Sequence, residues 1–455
     1  MQTSPSLSKV WFVVSIALLT FLYGTAVGKW EWFPHSFLNQ AMDQARVLQG
    51  QVMERDSTDG IIMYDRVYGR VGTRVLEPEK MKPGLVLVSS QWEDDDGWDS
   101  ELRIIDRKGK VLHRWEIDRE KVFQGGISQR RQPTETSVHG SHLSENGDVF
   151  VNLSYVGMIK INSCGDVVWE LGEGNHHGMT QADDGSFWTP AVSDNRRTST
   201  PAYPNGFPGL DEPIWMDQLL HISENGDVID RINLLDVLKK NGLADHIVKG
   251  SKYNYKDPLH INDVNYLSKS ISNEYPLFGE GDMLLSLRNP NLLLVLEPKK
   301  NEVKWSESRY FTYQHDPDFI GDGWIGVFDN RHDGTERGEL LGESRIVKVQ
   351  PHTDSMKVAY PTSNSESIYS TVRGRFQQLD NGNMLIAEYT GGRAIEVSPS
   401  GSTLWEFIPE PLNDSKGPGV TKANHVDLTR EEIASWPCSS IDSISTSAQK
   451  QSTTP

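Results

Sequence analysis

Cysteine is nearly absent: Cys164 and Cys438 are the two among 455 residues. That excludes a disulfide framework and a Cys-based zinc site. It leaves either one bridge, formed in an oxidising compartment, or two unpaired thiols. Positive charge is also short, with 45 Lys and Arg against 63 Asp and Glu and a net charge of −18. Such a chain has no general affinity for nucleic acid or an anionic membrane surface, although a local basic pocket is compatible with it. No Gly-rich phosphate loop of the P-loop or Rossmann type is present, and no Gly-x-Ser-x-Gly elbow. Apolar residues, by contrast, make up 36% of the chain and charged residues 24%, enough for a large core and unlike a disordered or fibrous chain. Thirty-nine Gly, 23 Pro and 13 Trp suit a large all-β protein with many turns.

One long run lacks charge altogether. Residues 10–28, VWFVVSIALLTFLYGTAVG, lie between Lys9 and Lys29. As a helix they would span roughly 28 Å, close to the hydrocarbon core of a bilayer. The run is longer than the apolar region of a typical leader, so an uncleaved signal anchor is favoured over cleavage at Gly24-x-Ala26. On either reading the bulk of the chain is exported, to the periplasmic or extracytoplasmic side. Phe37, Leu38, Ala41, Met42, Ala45, Leu48 and Val52 follow at helical spacing, and a short stalk helix is expected over 29–57.

From about residue 84 a different pattern repeats: an apolar run, an Asx-Gly turn, further short strands, and a last strand often ending in Trp. The units run over 84–117, 142–171, 180–232, 282–305 with HINDVNYL before it, 321–360 and 376–407. Six units of about 40–60 residues with several strands each predict a six-bladed β-propeller, in which stacked blades cover faces that no blade can bury alone. Residues 424–428 are a candidate strand to close the ring. The expected organisation is a tail (1–9), an anchor (10–28), a stalk (29–57), the propeller (58–435) and a Ser/Thr-rich disordered tail (436–455).

The histidines fall in register. Eight residues before Gly147, Gly185 and Gly323 stand His139, His177 and His315, and His260 opens the equivalent segment of the fourth unit. In the last unit that position is Gly374, flanked by Arg373 and Arg375. Positions just before the first strand of a blade face one end of the central channel, so the imidazoles should converge there. Arg288 follows a strand and could reach the same mouth. His176 cannot face the channel beside His177 and is read as structural. Three imidazoles can bind a divalent metal, but a nearby guanidinium repels one, and Arg with His suits an oxyanion such as sulfate or phosphate. A neutral imidazole can also carry a transferred group as a nucleophile.

The elements HHGMTQADDGSFW (176–188), HIND (260–263), LLSLRN (284–289) and YQHDPDFIGDGWIGVFDN (313–330), in that order, resemble the arylsulfate sulfotransferase family, over most of residues 58–430. The resemblance implies a six-bladed propeller with its site in the channel, and sulfuryl transfer from an aryl sulfate donor to a phenolic acceptor without a nucleotide donor. It implies His315 as the nucleophile, which becomes a transient sulfohistidine. His260 and Asn262 would contact the sulfuryl or phenolic oxygens, Arg288 would hold the sulfuryl group, and His177 would act as acid or base. His139 is a substrate-binding candidate by its register. No cofactor is required, and a structural Ca²⁺ stays open. Trp188, Tyr203, Phe207 and Trp215 could stack on aromatic substrates or simply pack the fold. Gly178, where an acidic residue is expected, and Asn289–Pro290 depart from the family pattern. Two rival readings are a non-catalytic, membrane-anchored binding module, and a metal-dependent hydrolase with carboxylate ligands such as Asp263 or Asp316.

Overall fold

The computed structural model describes residues 7–30, 61–94, 97–123, 137–193, 195–335 and 337–438. The chain divides into two units, 1–56 and 57–455. In the first, a helix covers Leu7–Trp30, extending past the expected 10–28 at both ends. Among the described residues no helix is long and apolar enough to cross a membrane, so the expected span is not shown. The stalk expected over 29–57 lies, beyond Trp30, outside the described residues.

The second unit is the six-bladed propeller. The first blade pairs Lys422–Val426 with Leu85–Asp94, Gly97–Asp106 and Val111–Glu116. The second holds Val138–Leu143, Val149–Leu153, Gly157–Ile161 and Val167–Leu171, and the third Thr180–Gln181, Phe187–Val192, Asp217–Ile222 and Val228–Asn233. The fourth runs from Ile261–Tyr266 to Glu302–Glu307, and the fifth from His315–Phe319 to Ser355–Tyr360. The sixth gains a fifth strand, Gly72–Val75, outside Arg375–Gln378 to Thr403–Ile408.

Why the strands stack in a ring is visible in their alternation. Leu85 and Leu87 pack toward the second blade, while Val86 and Val88 pack toward the sixth. Strands that bury both faces in this way read as continuous apolar runs, and each needs a neighbour on either side. The apolar core accordingly divides into six clusters, one between each pair of adjacent blades. The ring is closed by chain ends: Lys422–Val426 pairs with Leu85–Ser89, so residues far apart in sequence share the first blade.

The Trp that ends several units is an inter-blade staple. Indole Nε1 of Trp115 donates to the Gly147 carbonyl, that of Trp169 to Glu224, and that of Trp405 to Arg107. Each acceptor lies in a turn of the next blade. A Cβ on Gly226, at φ +88°, would lie 2.8 Å from the Trp169 ring, so this Asx-Gly turn serves both its own backbone and the indole that rests on it.

Ordered structure continues past residue 435, correcting the expected boundary of the tail. Trp436 is buried against His113 and Trp115 and donates to the Glu145 carbonyl. Cys438 is bridged to Cys164, and residues beyond 438 lie outside the described residues. The bridge closes a 274-residue separation. Cys438→Ser should therefore lower the urea-derived unfolding free energy by about 2–5 kcal/mol. Cys164→Ser should match it, and the double variant should be no worse than either; additive losses would show that the two sulfurs act separately.

Candidate active site in the channel

Three of the inner strands are bulged at the same end of the channel. Register shifts bracket His139 in the second blade, Asn262 in the fourth and Asp316–Pro317 in the fifth. A bulge re-aims a side chain that regular alternation would send into a blade interface. The neighbouring backbone is unusual too. His177, His260, Tyr313, Asp316 and Arg373 have φ between 49° and 59°, a region sparsely used by residues other than glycine and enriched at functional sites.

The result is a cavity lined by His139, His177, Asn262, Asp263, His315, Arg373, Gly374, Arg375 and Thr421. His177 is its centre: ring centroids of His139, His260 and His315 lie 3.7, 5.0 and 6.1 Å away. Only about 10 Å³ is open to the centre of a water molecule, room for a single water.

His315 is held in one tautomer. Its Nδ1 lies 2.8 Å from Asn330 Oδ1 and 3.0 Å from the Tyr313 carbonyl. The Asn330 amide nitrogen is already committed to the carbonyls of Ser370 and Arg373, so its oxygen faces His315 as an acceptor. Nδ1 therefore carries the proton, and Nε2 offers its lone pair, here accepting the Arg373 backbone N–H at 3.2 Å. Burial holds the His315 pKa well below its ordinary value, and the Arg288 charge lowers it further. Burial does the same for His177 and for His139, with Arg373 the first charge acting on His139. These imidazoles are neutral.

Of the expected residues of the fourth blade, Asn262 lines the cavity, whereas His260 lies behind it, beside His177. His260 Nδ1 lies 2.8 Å from Asp257 and 3.3 Å from the Tyr155 hydroxyl. The Asn262 amide donates to the Gln314 carbonyl at 2.7 Å, which ties the fourth blade to the residue before His315. His176 does not line the cavity; it stacks on Tyr155 and its Nδ1 lies 2.7 Å from that of His177.

Arg288 and the aromatic residues of the third unit stand outside the cavity lining. Arg288 does not line the cavity: it lies half-buried over the Tyr313 ring at 5.6 Å and donates to Asn289 Oδ1. The cause is local, because Asn289 is itself fixed to the Asp257 carbonyl and keeps the guanidinium beside it. Trp188, Tyr203 and Phe207 are core residues between the third and fourth blades rather than a substrate platform, and Trp188 stacks on His221 at 4.2 Å. Trp215 packs under Arg196 instead.

The cations in the cavity are Arg373 and Arg375, which sequence register had marked only as flanking the missing histidine. Arg375 reaches Asp316 at 2.9 Å and Asp263 at 3.3 Å. Burial raises the pKa of Asp263, Asp316 and Asp318, and Arg375 opposes this for all three; Asp316 is pushed up to about 7. Lys422, buried nearby, is pushed down to about 8 by burial and then by Arg375. The carboxylates available to a metal reading are thus engaged by Arg375, and among the described residues no group of three or more His, Cys, Asp or Glu is arranged to hold a metal ion. The departure at Gly178 is also accounted for. A Cβ there would stand 2.2 Å from Asp263 Oδ1 and 2.9 Å from Arg375, so Asp263 fills the space an acidic residue at 178 would need.

The model of the arylsulfotransferase (ASST) family matches residues 154–410, a range holding His177, His260, Asn262, Arg288, His315, Arg373 and Arg375. The chain belongs to that family. No curated protein matches it. Among solved structures, a protein of unknown function from Bacteroides caccae is 14% identical, over 72% of this chain and 94% of that one, at a TM-score of 0.42. Virginiamycin B lyase from Staphylococcus aureus is 11% identical over 65% and 86%, at 0.36. The Pan2 WD40 domain from Neurospora crassa is 10% identical over 76% and 88%, at 0.41. At such TM-scores none of them bears on this arylsulfotransferase-family chain.

Two outcomes are expected. Ring ¹⁵N–¹H correlation spectra should show His315 protonated at Nδ1 and bare at Nε2, unchanged as pH falls through 6.5, the ordinary imidazole value; an imidazolium pattern at pH 6 would contradict the buried neutral ring. Gly178→Asp should destabilise the propeller, and Asp263→Gly in the same chain should restore part of the loss. A coupling of about 1–3 kcal/mol is expected in denaturant melts, and strict additivity would mean that the two positions do not compete for one space.

Proposed function

We propose that the chain transfers a sulfuryl group from an aryl sulfate to a phenol through a covalent intermediate on His315. The observation that carries this reading is the neutral, Nδ1-protonated His315, with its Nε2 lone pair in a cavity edged by two arginines. Nε2 attacks sulfur, an N–S bond forms, the aryl O–S bond breaks, and its electron pair leaves with the phenolate oxygen. The positive charge gained by the ring spreads to Nδ1–H, which already donates to Asn330 and Tyr313. In the second half-reaction the acceptor oxygen attacks sulfur and the N–S pair returns to the ring.

The proton role falls to His177, which stands at the centre of the cavity and is held neutral by burial, so that it can take a proton from the acceptor phenol and return it to the leaving phenolate. His260, with Nδ1 2.8 Å from Asp257, backs the His177 ring at a centroid distance of 5.0 Å. Asn262 and His139 line the cavity where the sulfuryl oxygens would lie.

Export is part of the same proposal. The Cys164–Cys438 bridge suits an oxidising compartment. The exposed Trp11, Phe12, Leu19 and Phe21 of the first helix support attachment of that helix to a membrane.

Brief exposure of the purified chain to 4-nitrophenyl sulfate should add about 80 Da, one sulfuryl group, with release of one nitrophenolate. His315→Ala should lose both the adduct and turnover to added phenols. An adduct that survives in His315→Ala would move the nucleophile elsewhere. No adduct and no turnover with a panel of aryl sulfates and phenols would favour a binding module on the same propeller.

A further inference from the structure

We propose that Arg373 supplies the cation that holds the transferred sulfuryl group, an inference that rests on sulfuryl transfer at His315 and names a residue that the family motif does not. Four observations carry it.

The first is charge. Arg375, the other guanidinium in the cavity, is matched by Asp263 and Asp316. Among the described residues no carboxylate pairs with Arg373. Its Nη1 donates to the Val138 carbonyl and Thr421 Oγ1, both at 3.2 Å, and its Nη2 to Ser137 Oγ at 3.1 Å. Its plane lies over the Tyr389 ring at 4.4 Å. All four partners are neutral. The imidazoles of His139, His177 and His315 are neutral as well, so among the described residues no anion stands opposite this charge. Neutral acceptors position a guanidinium without consuming its charge, which is what an oxyanion site needs.

The second is position. The Arg373 backbone N–H lies along the lone pair of His315 Nε2, 3.2 Å away. That is the direction from which sulfur must approach. When the N–S bond forms, this N–H loses the ring nitrogen and meets a sulfuryl oxygen in its place. The residue thus presents two donors to the group, one from its backbone and one from its side chain.

The third is rigidity. Asn330 accepts from His315 Nδ1 through its oxygen and donates to the Arg373 carbonyl at 2.7 Å through its nitrogen. One amide therefore fixes both the nucleophile and the backbone of Arg373, which sits at φ 54°. Donors aimed at developing charge before the reaction begins cost no reorganisation during it.

The fourth is the alternative. Arg288, the arginine expected to hold the sulfuryl group, acts on His315 through its charge but lies outside the cavity lining, tied to Asn289 and set over Tyr313.

The test uses the full-length chain and 4-nitrophenyl sulfate, reading the rate of His315 labelling by intact mass. Arg373→Gln should lower that rate by about 100- to 1,000-fold, the usual effect of removing one donor from a preorganised oxyanion site, while Arg373→Lys keeps the charge without the fork and should lose about tenfold. A labelling rate in Arg373→Gln within threefold of the unmodified chain would overturn the inference and leave sulfuryl transfer standing. Absence of labelling in the unmodified chain would instead remove the reading on which it rests. A second measurement separates binding from folding. Inorganic sulfate should compete with labelling, and its inhibition constant should rise at least tenfold in Arg373→Lys at unchanged thermal midpoint. An unchanged constant would overturn the inference even if Arg373→Gln fails to fold.

Discussion

Arg375, bridging Asp263 and Asp316, is the interaction on which the rest of the channel depends. The three residues come from the first strands of the sixth, fourth and fifth blades, so one guanidinium ties three walls together. The two carboxylates are buried and Arg375 is largely so, and removing one member would leave the others poorly solvated, at a cost of about 3–5 kcal/mol. The Asp316 carboxylate also takes the backbone N–H of Phe376, which locks the start of the sixth blade to the bulge after His315. Asp263, for its part, occupies the space beside Gly178, next to His177. The positions of His177, Asn262 and His315 are therefore consequences of one charge-balanced cluster. Because that cluster consumes the charge of Arg375, it is also what distinguishes the two cavity arginines from each other.

Much of this was legible in the sequence, for physical reasons. The turn glycines punctuate units whose apolar runs must be buried on both faces, and that pattern has few solutions other than a ring of blades. The count back from Gly147, Gly185 and Gly323 to a histidine works because each blade spends the same number of residues between its channel end and its first turn. Residues 424–428 read as a closing strand because an apolar alternation so far from its blade has no other partner, and the strand Lys422–Val426 bears this out.

What escaped the sequence is what depends on bulges and on competition for a side chain. Nothing in the string LLSLRNPN says that Asn289 will be held by the Asp257 carbonyl and keep Arg288 at its side. The pair Arg373 and Arg375 was visible, but their difference in charge balance was not, since the two carboxylates that pair with Arg375 lie some 60 and 110 residues away in sequence. For Trp188, Tyr203 and Phe207 the sequence left substrate stacking and ordinary packing open, because an aromatic-rich insertion suits either; in the fold they are packed in the core. The end of the chain was misjudged because Ser/Thr-rich composition hid Trp436 and Cys438, each of which has a specific partner on another blade.

The narrowness of the cavity completes the chemical argument. A space for one water cannot hold an aryl sulfate, so donor entry on the proposed path requires side chains to move, and the half-buried Arg288 over Tyr313 stands beside the nucleophile's own segment. A closed, water-poor site suits the chemistry that follows. A sulfuryl group on an imidazole nitrogen is a reactive species, and water is the acceptor most abundant around any protein. Transfer to a phenol rather than to water therefore needs a site that opens for an aromatic molecule and excludes solvent otherwise. Neutral imidazoles fit the same requirement: they can line a dry cavity at far lower desolvation cost than charged ones. On the proposed reading, the Arg373 guanidinium, without a carboxylate partner among the described residues, is the exception that the substrate's negative charge answers, which makes charge neutrality of the filled site, rather than of the empty one, the condition to satisfy.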